Sequence, residues 1–161
     1  MDQNFTRSVL SWYDAGHRDL PWRRTKDAYR IWVSEIMLQQ TRAETVVTYY
    51  ERFLARYPDV RALADAPEEE LLKAWEGLGY YSRARLLQKA ARAIVSQYGG
   101  ELPADLKKLR ALPGVGDYTS GAIASIAFGI PAAAVDGNVE RVICRYFAIS
   151  EEMGSPKSRR M

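Results

Sequence analysis

Two carboxylic acids in this chain sit in opposite surroundings. Glu35 lies in IWVSEIML, flanked by Trp32, Val33, Ile36, Met37 and Leu38. A carboxyl group among apolar side chains keeps its proton to higher pH, because desolvation penalises the charged form. Such a group can act as a general acid near neutrality. The same glutamate also reads as a surface residue at the polar edge of an amphipathic helix. Asp136 lies in AVDGNVERV, a polar context in which it reads as the N-cap of a helix beginning near Asn138. A third stretch, LPGVG at 112–116, lets one helix end and another begin within a few residues. Gly114 and Gly116 are there to take backbone angles closed to other residues. The hairpin's exposed N–H groups can meet an anion such as a phosphate, although a tight corner between helices with no ligand fits the local pattern equally well. The run TSGAIASIA that follows is small enough for a neighbouring helix, or a nucleic acid backbone, to come close.

These residues need helices to position them. Apolar residues recur at helical spacing nearly everywhere, with no alternating strand or hairpin turn, so the fold class is all-α. TRAE at 41–44 has the form of a capping box, with Thr41 and Glu44 as its two members. Its helix is expected to run to about Tyr57, where Pro58 stops it. APEEELLKAWEGLG puts Pro67 in a first turn, acids beside the positive helix end, and Gly77 where a left-handed terminus is wanted. Ser82 opens a helix closed by Gly99 and Gly100. Other helices are expected over 3–14, 27–39, 104–111, 117–128 and 138–148.

Taken together, LPGVGDYTSGAI, AAAVDGNVERV, WVSEIMLQQTRAETV and WEGLGYYSRARLLQKAA resemble the A/G-specific adenine DNA glycosylases of the MutY type, within the helix-hairpin-helix base-excision superfamily. The resemblance covers about residues 5–150. It implies a central six-helix barrel over 27–137 with the hairpin at about 104–128. It places 1–26 in a second helical domain that 138–161 begins and does not complete. By the same resemblance Glu35 protonates adenine at N7, and Asp136 stabilises the positive sugar, with a covalent sugar–enzyme intermediate as one form of that step. One protonated and one ionised carboxyl across an oxocarbenium-like transition state is the logic of glycosidases. Tyr118 stands where relatives of the endonuclease III type carry a nucleophilic lysine, which implies a monofunctional enzyme using water. The base must leave the duplex to be reached. Arg18, Trp22, Arg23, Leu38 and Asn138 are then implied in holding the adenine, the first three from HRDLPWRR. Gln40, Thr41, Tyr80, Arg83, Leu112, Gly114, Val115, Gly116 and Thr119 are implied in DNA contact, with Tyr80 wedging beside the opposing damaged guanine. On residues alone, Tyr80 and Tyr81 read equally as core, and Arg83, Arg85 and Lys89 as solvated cations.

The totals agree with a DNA partner without demanding one. The 161 residues carry 23 basic and 20 acidic side chains, a formal charge of +3. A single cysteine, Cys144, rules out an intrachain disulfide and points to packing inside the last helix. A cytoplasmic monomer acting on double-stranded DNA with an adenine mispair, away from any membrane, is the expectation. His17, the one histidine, is expected to be a solvated loop residue. Members of the resembled family extend further, with four cysteines holding a [4Fe–4S] cluster and a domain that recognises 8-oxoguanine. Those four ligands are absent here, no metal is expected, and EEMGSPKSRRM reads as the end of a C-terminally truncated fragment. Phe5, Val9, Leu10, Trp12 and Tyr13 are then expected to lack a partner, leaving a marginally stable, weakly active chain. Two other readings stay open: an endonuclease III-type glycosylase and AP lyase, and a non-catalytic helix-hairpin-helix DNA-binding module.

Overall fold

The computed structural model describes residues 3–150, among which there are helices and connecting turns and no strand. The elements in chain order are α1 (Gln3–Gly16), a 3₁₀ turn (Pro21–Arg23), α2 (Ala28–Leu38), α3 (Ala43–Arg56), α4 (Val60–Asp65), α5 (Glu68–Ala74), α6 (Ser82–Tyr98), α7 (Leu106–Arg110), α8 (Asp117–Phe128) and α9 (Gly137–Tyr146). The terminal segment EEMGSPKSRRM lies outside the described residues.

Helix α2 is the axis of the core. Tyr29, Ile31, Trp32, Val33, Ser34, Ile36 and Met37 are all buried, so the helix is enclosed on nearly every side rather than on one stripe. Asp27 starts it by accepting from the Arg30 N–H at 2.8 Å. Around it pack α3, α6 and α8, and a ring cluster in which Phe53 meets Trp75 edge-on at 5.8 Å between centroids fills the far side. Leu20 and Trp22 belong to this core as well, although they lie in the segment 1–26 that the resemblance assigns to another domain.

Two elements depart from expectation. TRAE is not a capping box: α3 begins at Ala43, its N-cap is Arg42, and no side chain caps it. Thr41 Oγ1 instead lies 3.4 Å from both the Gln39 carbonyl and Arg83 Nη2. Helix α4 appears in none of the expected spans. Six residues show too little of the helical period, and its signal is the Asp59 cap, which accepts from the Ala62 N–H at 2.9 Å. The span 117–128 is observed as expected, Gly99 closes α6 with φ +66°, and Gly77 has φ +94°.

No described residue of α1 is buried, and Val9, Leu10, Trp12 and Tyr13 are exposed. Phe5, expected to lack a partner, lies tilted against Tyr146 at 4.3 Å between ring centroids and edge-on to Phe147 at 5.9 Å, which ties α1 to the end of α9. Cys144 is buried. His17 stacks on Tyr13, 4.4 Å between rings, with Nδ1 2.8 Å from the Tyr13 carbonyl oxygen.

Candidate active site

A cavity of about 640 Å³ opens where the end of α2, the start of α6, the start of α8 and the start of α9 meet. It is lined by Glu35, Leu38, Gln39, Gln40, Tyr80, Ser82, Arg83, Tyr118, Asp136 and Asn138. Both acids singled out in the sequence therefore face one space. Local folding explains the convergence. Glu35 projects from the enclosed helix α2. Helix α8 can lie close because Gly121 has no side chain: a Cβ there would overlap the Ala133 carbonyl oxygen. That approach brings the segment carrying Asp136 across α8, which answers what TSGAIASIA is for. Thr119 to Ala124 are buried, so the small run admits protein backbone and not nucleic acid.

The two acids differ in charge state. Burial pushes the Glu35 carboxyl above the ordinary carboxylate range; the Tyr118 hydroxyl opposes this as a hydrogen-bond partner, and the Asp136 charge reinforces it. Asp136 is held below the ordinary range, chiefly because its carboxylate accepts from the Val139 N–H at 2.8 Å. The Asn138 N–H and Asn138 Nδ2 each donate to it at 3.0 Å. Capping α9 and staying ionised are thus one arrangement. Tyr118 is pushed up to about 12 by burial and by Glu35, so its hydroxyl keeps its proton and donates.

Arg18, Trp22 and Arg23 are placed elsewhere. Trp22 is a core side chain, edge-on to Tyr50 at 5.4 Å. Arg18 pairs with Glu44 at 2.5 Å, and Arg23 donates to the Arg18 carbonyl at 2.9 Å with its guanidinium over Tyr13. None of the three lines the cavity, because the 3₁₀ turn that carries Trp22 and Arg23 packs on α2. Arg83 is 9% exposed and is no free phosphate ligand. Its Nη1 donates to the carbonyls of Ile36, Met37 and Gln39, and its Nη2 to those of Leu78 and Gly79. The guanidinium thereby satisfies the end of α2, whose last carbonyls have no intrahelical partner. Leu112, Val115 and Thr119 are buried, so any contact they make with DNA is through backbone. Reasoning from sequence missed Gln39 and Ser82. Ser82 had been read only as a helix start, and Gln39 carried no signal beyond its place beside Gln40.

The hairpin holds one glycine of each kind. Gly114 has φ +72°, and a Cβ there would stand 2.9 Å from Leu86 Cβ. Gly116 has φ −90° with open space around it, so it does not need the left-handed region expected for it. Gly114→Ala is expected to cost about 1–2 kcal/mol of stability, whereas Gly116→Ala leaves the melting temperature unchanged. Thermal melts of both variants check this, and equal losses would contradict it. The α8 N-terminus at Gly116 has no side-chain cap, which leaves its first N–H groups available. Gln40 and Tyr80, which both line the cavity, have φ +59° and +48° although neither is glycine.

The profile of the HhH-GPD superfamily base excision DNA repair protein matches residues 33–160. The chain belongs to this superfamily. Among HhH-GPD relatives, the human adenine DNA glycosylase is 51% identical over 94% of the chain and 29% of its own length. That of Buchnera aphidicola (subsp. Baizongia pistaciae) is 42% identical over 91% of the chain and 42% of its own. The chain thus spans under half the length of these relatives. A thermostable thymine-DNA glycosylase superposes with a TM-score of 0.87 at 38% identity, covering 92% of this chain and 69% of that one. Endonuclease III in a non-covalent DNA complex superposes at 0.74 with 28% identity, covering 88% and 67%. These confirm the all-helical HhH-GPD fold. The iron–sulfur cluster implied by resemblance does not fit the residues present: a single cysteine cannot supply four thiolates. Among the described residues no group of three or more His, Cys, Asp or Glu converges, and no helix is long and apolar enough to cross a membrane.

Proposed function

We propose that this chain carries the chemistry of an adenine DNA glycosylase, hydrolysing the N-glycosidic bond of adenine opposite 8-oxoguanine or guanine. The observation that carries this is the pair Glu35 and Asp136, shifted in opposite directions and lining one cavity. The identities to adenine DNA glycosylases support the same substrate.

In this mechanism the extruded adenine enters the cavity and Glu35 gives its proton to N7. The C1′–N9 bond breaks with its electron pair leaving on the base. The positive charge on C1′ faces the Asp136 carboxylate, already ionised and fixed by the α9 N–H groups. Water adds to C1′ and yields its proton to the now ionised Glu35, restoring the starting state. The Tyr118 hydroxyl donates to the Glu35 carboxylate formed in between. Tyr118 offers no amine to form an imine with the sugar, so strand cleavage does not follow. Gln40 and Tyr80 at the cavity edge are suited to occupy the gap left by the base. The partner is double-stranded DNA, and a monomer suffices because both acids come from one chain.

A duplex with adenine opposite 8-oxoguanine, incubated with the chain and borohydride, tests this. Free adenine with an intact abasic strand and no protein–DNA crosslink is expected. Efficient crosslinking would assign the chain to lyase chemistry, and DNA binding without base release would make it a binding module.

A further inference from the structure

Beside the hairpin there is a second cleft, of about 530 Å³, between α6 and the turn after α7. Lys89, Arg92, Ser96, Tyr98, Leu112 and Pro113 are among its lining residues. Two of its lining residues are cationic and none is acidic. The contrast with the rest of α6 is informative. Arg83 is committed to five carbonyls, and Arg85 is paired with Glu68 at 2.8 Å. Among the described residues Lys89 has no ion pair, and Arg92 is bonded through Nε alone, to the Ala64 carbonyl at 3.0 Å. Lys107 and Lys108 on the adjacent α7 are likewise without an ion pair among the described residues and sit in its last turn.

The cleft is continuous with the hairpin, since Pro113 lines it and Gly114 rests on Leu86, one helical turn before Lys89. Like charges held on a concave surface, with no acid to balance them, cost energy until a polyanion occupies the surface. Successive phosphates along a strand supply that chemistry at a spacing a helix turn can follow.

We propose that Lys89 and Arg92 form a second backbone-phosphate site, so that duplex DNA gripped at the Gly114–Gly116 hairpin continues across α6 into this cleft. The site rests on the proposed function for its ligand, but it reads the phosphate backbone and no base, and therefore serves any sequence equally.

Fluorescence anisotropy on two labelled 20-base-pair duplexes, one fully paired and one with adenine opposite 8-oxoguanine, tests it between 50 and 200 mM salt. Lys89→Gln is expected to reduce the slope of log K against log salt by about one, and Lys89→Gln with Arg92→Gln by about two, on both duplexes alike. Lys73→Gln, a charge-matched change on α5, is expected to leave the slope unaltered. Because Arg92 also braces α4, Lys89→Glu provides a variant that leaves that contact intact, and it is expected to weaken both complexes further than Lys89→Gln. An unchanged slope in the Lys89 variants overturns the second site while base release by the unaltered chain still stands. A change confined to the mispaired duplex overturns it too. Absence of any duplex binding by the unaltered chain at 50 mM salt overturns both the site and the function it rests on.

Discussion

Glu35→Gln is expected to slow single-turnover release of adenine by about 10²- to 10⁴-fold, the range that a positioned general acid contributes. Glutamine keeps the size and polarity of the side chain and removes only the proton. The pH dependence carries the same signature. In the unaltered chain the rate should fall as pH rises through the raised Glu35 value, because the acid form is lost. It should fall in acid as pH drops through the lowered Asp136 value, because the carboxylate is lost. The alkaline limb should vanish in Glu35→Gln. Stability should follow the same alkaline fall. A carboxyl whose folded value lies above its unfolded one contributes stability fully present below the unfolded value and lost as pH rises through the folded one. Glu35→Gln should therefore melt progressively higher, relative to the unaltered chain, as pH rises from below the ordinary carboxylate value through the raised one. A variant that keeps the full rate, or that gains no relative stability over this range, would remove Glu35 from the role of buried acid.

Arg83→Met is expected to be the most damaging single change outside the acids. It deletes charge-assisted hydrogen bonds to five carbonyls and leaves those at the end of α2 without donors. Bonds of this kind contribute about 1.5–3 kcal/mol each, and losses within one network are not additive. A total of about 3 kcal/mol is expected, seen as a melting temperature lower by about 6–12 °C. Arg85→Met, two residues along the same helix, breaks an ion pair whose side chains are 53% and 55% exposed. It should cost less than about 1 kcal/mol. Calorimetry on the two variants checks the contrast, and similar losses would mean that the Arg83 contacts do not hold α2.

The helices that position the acids were legible where a boundary residue announced itself. Gly99, Pro58 and the glycines of LPGVG mark ends that the structure reproduces to within a residue or two. Short α4 was not legible, because six residues carry less than two periods of the apolar pattern. Thr41 misled for a physical reason: the capping motif is local, whereas the Thr41 hydroxyl lies beside a guanidinium that arrives from α6, forty-two residues away. Arg83 shows the same limit. An arginine on an exposed-looking helix gives no sign that it will be buried against the end of another. Glu35 and Asp136 were readable because burial in one case and capping in the other are properties of their immediate neighbours. That they share a cavity depends on Gly121 and on a crossing of α8, which no local pattern encodes.

Gln40 and Tyr80 hold the left-handed backbone conformation without being glycine, each at a cost of about 1–3 kcal/mol, and in each case the carbonyl just before, of Gln39 or Gly79, is held by Arg83. The mouth of the cavity is consequently a preset jaw. On the proposed function its two tips would meet a duplex with their backbone already set, so little freedom would remain to be surrendered at the moment of contact, leaving the binding energy for opening the DNA.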